Sequence, residues 1–160
     1  VKRADPASVT LSPEEPDVNV TCETIDVGPQ RLLLFAPVGG PRARLPAVLA
    51  YSDIFQHTGP HRRLCQRLAG YGYLVATPEL YGRFEPRGTV LDFEKDRQRA
   101  LDDAGRVTLA DLDADLGAAV DFLRGHHQVD PDALAACGWC FGGHVAFRAA
   151  LRPEVRATAC

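Results

Sequence analysis

The hexapeptide Gly138-Trp139-Cys140-Phe141-Gly142-Gly143 constrains the fold of this chain more than any other stretch. It follows a short apolar run, Ala133–Cys137, that reads as a strand, and it opens Phe141–Leu151, a small-residue segment that reads as a helix. Glycine on both sides of Cys140 lets a strand and a helix backbone approach each other across a sharp, strained turn. Such a turn exposes Cys140 at the carboxyl end of the strand and at the amino end of the helix, whose partial positive charge favours a thiolate. Two competing readings are a buried structural thiol and a Cys137-x-x-Cys140 redox pair. The preceding strand and Gly142-Gly143 fit the turn better than the redox pattern, and Cys137 reads as a small core residue.

The elements upstream suit a sheet that can carry this turn. Thr21–Val27 alternates loosely, Gln30–Ala36 is an apolar run, and residues 37–46 form a Gly/Pro/Arg turn, which together predict opening antiparallel strands. Ala47–Tyr51 is apolar throughout, as a strand covered on both faces should be. A helix over Pro60–Ala69, stopped by Gly70, and a strand over Tyr73–Thr77, stopped by Pro78, come next. After the loop Tyr81–Thr89 and the charged segment Asp92–Asp103, Leu109, Leu112, Leu116, Ala119, Val120 and Leu123 recur at spacings of three and four. This is an amphipathic helix, and Asp111, Asp113, Asp115 and Asp121 are read as its solvated face rather than a calcium site, which needs loop geometry. Asp130–Asp132 reads as a turn and Val155–Cys160 as a strand just beginning. The alternation of strand and helix predicts an α/β domain with a mostly parallel sheet and helices on both faces. Residues 1–20, with Pro6, Pro13 and Pro16, read as an irregular arm, and residues 21–160 as a portion of one domain.

Charge and cysteine usage narrow the function classes. A net charge of −3 with no dense Lys/Arg block gives nothing to grip a phosphate backbone, so no nucleic-acid partner is expected. The longest apolar stretches, such as Leu32–Phe35, are far too short for a membrane span. Cysteines at 22, 65, 137, 140 and 160 form no dense disulfide framework, which suits a reducing cytoplasm. His57, His61 and Cys65 share a spacing of four but lack a fourth ligand, and they read as one face of a helix rather than a zinc site. No metal and no cofactor are expected.

Three stretches carry a resemblance: Tyr51-Ser-Asp-Ile-Phe55, Gly72-Tyr-Leu-Val-Ala-Thr-Pro-Glu-Leu-Tyr-Gly-Arg83 and Cys137-Gly-Trp-Cys-Phe-Gly-Gly-His144. In this order they resemble the dienelactone hydrolase family, α/β hydrolases that use cysteine in place of serine, over roughly residues 25–160. The resemblance implies an α/β-hydrolase-type sheet and hydrolysis of a small lactone or ester through a cysteine acyl-enzyme. It implies Cys140 as nucleophile, and Asp53 at the position of a family glutamate that meets the thiol. The shorter Asp53 side chain restrains or activates Cys140, or else caps its own loop. The turn mechanics place oxyanion donors at the N–H groups of Phe141 and Ile54. Arg99, in Asp96-Arg-Gln-Arg99, falls nearest the family arginine that holds an anionic substrate's carboxylate, with Arg97 one helical step away and a plain surface residue as the alternative reading.

An α/β hydrolase places its acid and its histidine base after the nucleophile. Beyond Cys140 the chain offers Glu154 and one histidine, His144, which belongs on the helix of the turn and points away from the attacking side. The acid and base are therefore expected outside this chain, in a further C-terminal segment or a second chain, with the domain truncated after the helix of the turn. The alternative function is a non-catalytic, hydrolase-like interaction or scaffold subunit.

Overall fold

The computed structural model describes residues 19–39 and 44–160, so the arm expected over 1–20 lies outside the described residues except for Asn19 and Val20. Strands β1 (Val20–Val27), β2 (Gln30–Pro37) and β3 (Leu45–Tyr51) precede helix α1 (Gly59–Gly70) and strand β4 (Leu74–Pro78). Helices α2 (Arg97–Arg106) and α3 (Leu109–Gly125), strand β5 (Val129–Gly138), helix α4 (Phe141–Ala149) and strand β6 (Val155–Ala159) follow. The strands form one sheet in the order β1-β2-β4-β3-β5-β6. β2 runs antiparallel to β1 and to β4, and β3, β4, β5 and β6 pair parallel.

The two-residue period of the strands sorts the core into two layers. Leu32, Leu34, Ala47, Leu49, Leu74, Ala76, Leu134 and Ala136 face α3 and α4, meeting Leu112, Leu116, Val120, Val145 and Ala149. Leu33, Phe35, Val48, Ala50 and Val75 face the other way and meet Cys65 and Ala69 of α1. β4 is buried along its whole length, as its apolar run requires.

Chain order reverses at β3: α1 carries the chain to β4 on one side, and the later crossover returns it to β5 on the other. The crevice opened by such a reversal lies at the carboxyl ends of the parallel strands. The loops after β3, β4 and β5 all end there.

Two local expectations change. The turn expected at Asp130–Asp132 is enclosed within β5: Val129 pairs with Leu45 and Leu134 with Ala47, so residues 130–133 bulge opposite Pro46. Asp130 Oδ1 accepts the Asp132 N–H at 3.1 Å, so the turn chemistry is real but bends a strand without ending it. The aspartates of α3 do more than meet water. Asp111 completes a capping box with Thr108, Asp113 receives Arg148 of α4 at 2.5 Å, and Asp115 receives Arg83 at 2.5 Å. Among the described residues, no helix is long and apolar enough to cross a membrane.

Candidate active site

Cys140 stands between β5 and α4 with φ 55° and ψ −127°, a left-handed conformation that a side chain rarely adopts. The neighbouring glycines account for it. A Cβ on Gly138 would overlap the carbonyl of Gly142, and one on Gly142 would lie 2.6 Å from the Tyr51 carbonyl carbon and overlap the Ser52 oxygen. The first turn of α4 thus rests directly on the end of β3. Gly143 donates its N–H to Cys140 O at 3.1 Å, yet a Cβ there would meet its nearest neighbour at an ordinary 3.5 Å. Two glycines are therefore obligatory and the third is not. Cys140 is exposed, and all five cysteines are free.

The loop after β3 carries Asp53 and Ile54 to the foot of α4, since Ser52 is the residue that Gly142 touches. Asp53 Oδ1 accepts the Phe55 N–H at 2.8 Å, the loop-capping geometry weighed for it above. Gln56 fixes this loop to the next. Buried and held at φ 65°, it accepts from Leu80 N at 3.1 Å and Tyr81 N at 3.4 Å, and donates to Thr89 O at 2.8 Å. No sequence pattern singles out Gln56; its positive φ and its partners, 24 and 33 residues away, exist only in the fold.

Tyr81 is a site residue that sequence reasoning used only as part of a motif. Its ring is fully buried and its hydroxyl finds no partner. Burial pushes the phenol well above its ordinary range, and the charges of Asp103, Asp53 and Cys140 add to that.

Behind Tyr81 lies a carboxyl pair. Glu85 receives both Nε and Nη2 of Arg99, the first at 3.0 Å. The buried Asp103 carboxyl meets Glu85, and its Oδ2 has no donor. Burial, then the Glu85 carboxyl, raises Asp103, and the Arg99 guanidinium lowers Glu85.

The histidines fall elsewhere. His57 Nε2 lies 3.1 Å from Pro78 O and His61 Nε2 lies 2.6 Å from Thr77 Oγ1, with the two rings stacked. Cys65 Sγ is 3.6 Å from His61 Nε2, and the His61 ring packs on Trp139. Trp139 is thus a wall that backs the turn. Among the described residues, no group of three or more His, Cys, Asp and Glu side chains is arranged to hold a metal ion. His144 is exposed on α4, edge-on to Phe141.

The sequence pattern of the dienelactone hydrolase family matches residues 33–160. A Saccharomyces cerevisiae protein named "Putative carboxymethylenebutenolidase" is 34% identical over 140 residues, covering 81% of this chain and 48% of the yeast protein. A Methylorubrum extorquens protein of the same name is 34% identical over 120 residues, covering 74% of this chain and 39% of its own length. The chain thus spans about half the length of the curated relatives it matches, or less. In structure, it is similar to the crystal structure of a "Putative Dienelactone Hydrolase" from Klebsiella pneumoniae. The TM-score is 0.73 at 26% identity, over 87% of this chain and 58% of that one.

Proposed function

This chain belongs to the dienelactone hydrolase family, and we propose that it hydrolyses small esters or lactones with Cys140 as nucleophile. The observation that carries the reading is the strained backbone of Cys140, held by the contact of Gly138 with Gly142 and of Gly142 with the end of β3. Strain of this kind costs about 1–3 kcal/mol and persists where the surroundings enforce it. Here it holds a free, exposed thiol at the amino end of α4.

A base takes the Cys140 proton, and the thiolate attacks the carbonyl carbon. The oxyanion is received by the N–H groups of Phe141, which opens α4, and of Ile54, on the adjoining loop. Collapse breaks the carbon–oxygen bond, and the leaving alkoxide takes the proton back from the base. Water, deprotonated by the same base, then attacks the thioester; the carbon–sulfur bond breaks and the acid departs. Asp53 caps its own loop beside the turn, its Oδ1 accepting the Phe55 N–H.

The five histidines of the chain do not serve as that base. His57 and His61 are buried in hydrogen bonds to β4, His144 sits exposed on α4, and His126 and His127 follow the far end of α3. A histidine and an acid from outside these residues complete the machinery, in a following segment or a second chain. A reducing compartment such as the cytoplasm suits a nucleophile that must remain a thiol.

The test is hydrolysis of 4-nitrophenyl acetate and of a small lactone by the protein and by Cys140→Ala. The expected result is turnover that falls at least about 100-fold in the variant. Equal rates would contradict the reading and favour a scaffold role.

A further inference from the structure

Two histidine rings at the amino end of α1 are fastened to β4, and one of them reaches the residue that precedes the nucleophile. His57 Nε2 lies 3.1 Å from Pro78 O, and His61 Nε2 lies 2.6 Å from Thr77 Oγ1. The two rings stack with centroids 5.7 Å apart and planes 8° apart, and the His61 centroid lies 5.1 Å from that of Trp139. His61 is buried, and its Nδ1 has no partner. The one proton of the neutral ring therefore belongs on Nε2, where Thr77 Oγ1 accepts it; the other tautomer would bury an N–H without an acceptor. One tautomer with one anchor and a stacked neighbour fixes the rotation of the His61 ring, and that ring is what Trp139 packs on. Trp139 is joined directly to Cys140, whose left-handed backbone persists only where its surroundings enforce it. Gly138 and Gly142 permit the turn by their lack of a side chain, whereas Trp139 supplies a side chain that can hold it.

Resting on the cysteine-nucleophile reading above, we infer that His61 is a positioning residue for Cys140 that acts through Trp139: Thr77 of β4 fixes the His61 ring, the ring fixes Trp139, and Trp139 fixes the strained residue after it. Burial lowers His61 to about 4, so the ring is neutral near pH 7 and this single-tautomer arrangement is the one in force.

Alkylation by iodoacetamide near pH 7.5 reads the turn, with the Cys140 peptide of the full chain quantified by mass spectrometry against glutathione in the same mixture. His61→Ala should slow Cys140 about five-fold, the effect of one aromatic contact. His61→Phe, which keeps a ring, should recover most of that rate. Thr77→Val keeps the His61 ring and removes its anchor, and should slow Cys140 about two-fold without opening a cavity. In a Trp139→Ala background neither His61→Ala nor Thr77→Val should slow Cys140 further, a coupling that a merely structural role would not produce. Unchanged rates in His61→Ala and Thr77→Val, or equal slowing with and without Trp139, would overturn the inference while leaving the nucleophile intact. Thr77→Val decides by the same comparison where His61→Ala does not fold. Inertness of Cys140 in the unaltered chain would remove the nucleophile itself, and the inference with it.

Discussion

At the scale of single residues, the turn makes opposite demands on adjacent glycines. A methyl on Gly142 drives α4 away from the Tyr51 and Ser52 carbonyls, so Gly142→Ala should cost about 1–3 kcal/mol and displace Cys140. Gly143 meets only ordinary contacts and lies in a helix, so Gly143→Ala should be neutral or stabilising by up to about 1 kcal/mol. Urea unfolding of the two variants checks the contrast; equal losses would mean that the close approach is not what selects Gly142. Cys140 itself carries strain that glycine does not feel, so Cys140→Gly should be about 1 kcal/mol more stable than Cys140→Ala. Greater stability in the alanine variant would refute a strained turn.

At the scale of elements, the Gln56 side chain joins the loop after β3 to the loop after β4 by three hydrogen bonds. Gln56→Leu leaves two buried N–H groups and a carbonyl without partners and should cost about 2–4 kcal/mol. It should also speed tryptic cleavage at Arg83 and Arg87. A loss under about 0.5 kcal/mol would show that water replaces the clamp. The sequence makes the strands and the turn legible because their signals are local: period two in Leu32–Phe35, period three to four in Leu109–Leu123, and the glycines around Cys140. Gln56, Tyr81 and Glu85 act through partners distant in sequence, and nothing in their neighbours announces it. Helix α2 is missed for a related reason. Its buried residues are only Ala100 and Asp103, so its burial rests on a carboxyl that hydropathy counts as surface. The bulge in β5 shows the converse, a local turn signal outvoted by pairing on both sides of it.

At the scale of the whole molecule, the face of the sheet covered by α1 carries a liability to acid. Burial, then the neighbouring His61, lowers His57 to about 3, with Arg62 and Arg31 adding to it, and burial lowers His61 to about 4. Both are neutral when folded and titrate near 6.5 when unfolded. Between those values the unfolded chain binds more protons, so stability is complete above about pH 6.5 and falls as pH drops toward 4. At pH 5 the loss should be about 2 kcal/mol for each histidine, measured by urea unfolding at pH 7.5 and 5. A flat profile would mean that these rings are hydrated in the fold. The carboxyl ends of the parallel strands carry the nucleophile proposed above, with Asp53, Tyr81 and Cys140 in the loops and turn that follow β3, β4 and β5. The most direct test of that nucleophile, the central claim, is to mix the protein with excess 4-nitrophenyl acetate, quench in acid and map the peptides. One acetyl group on the Cys140 peptide, removed by neutral hydroxylamine and absent from Cys140→Ser at the same peptide's thiol, is the result expected of a cysteine acyl-enzyme. Acetyl spread over Cys22 and Cys160 as readily as Cys140 would contradict it.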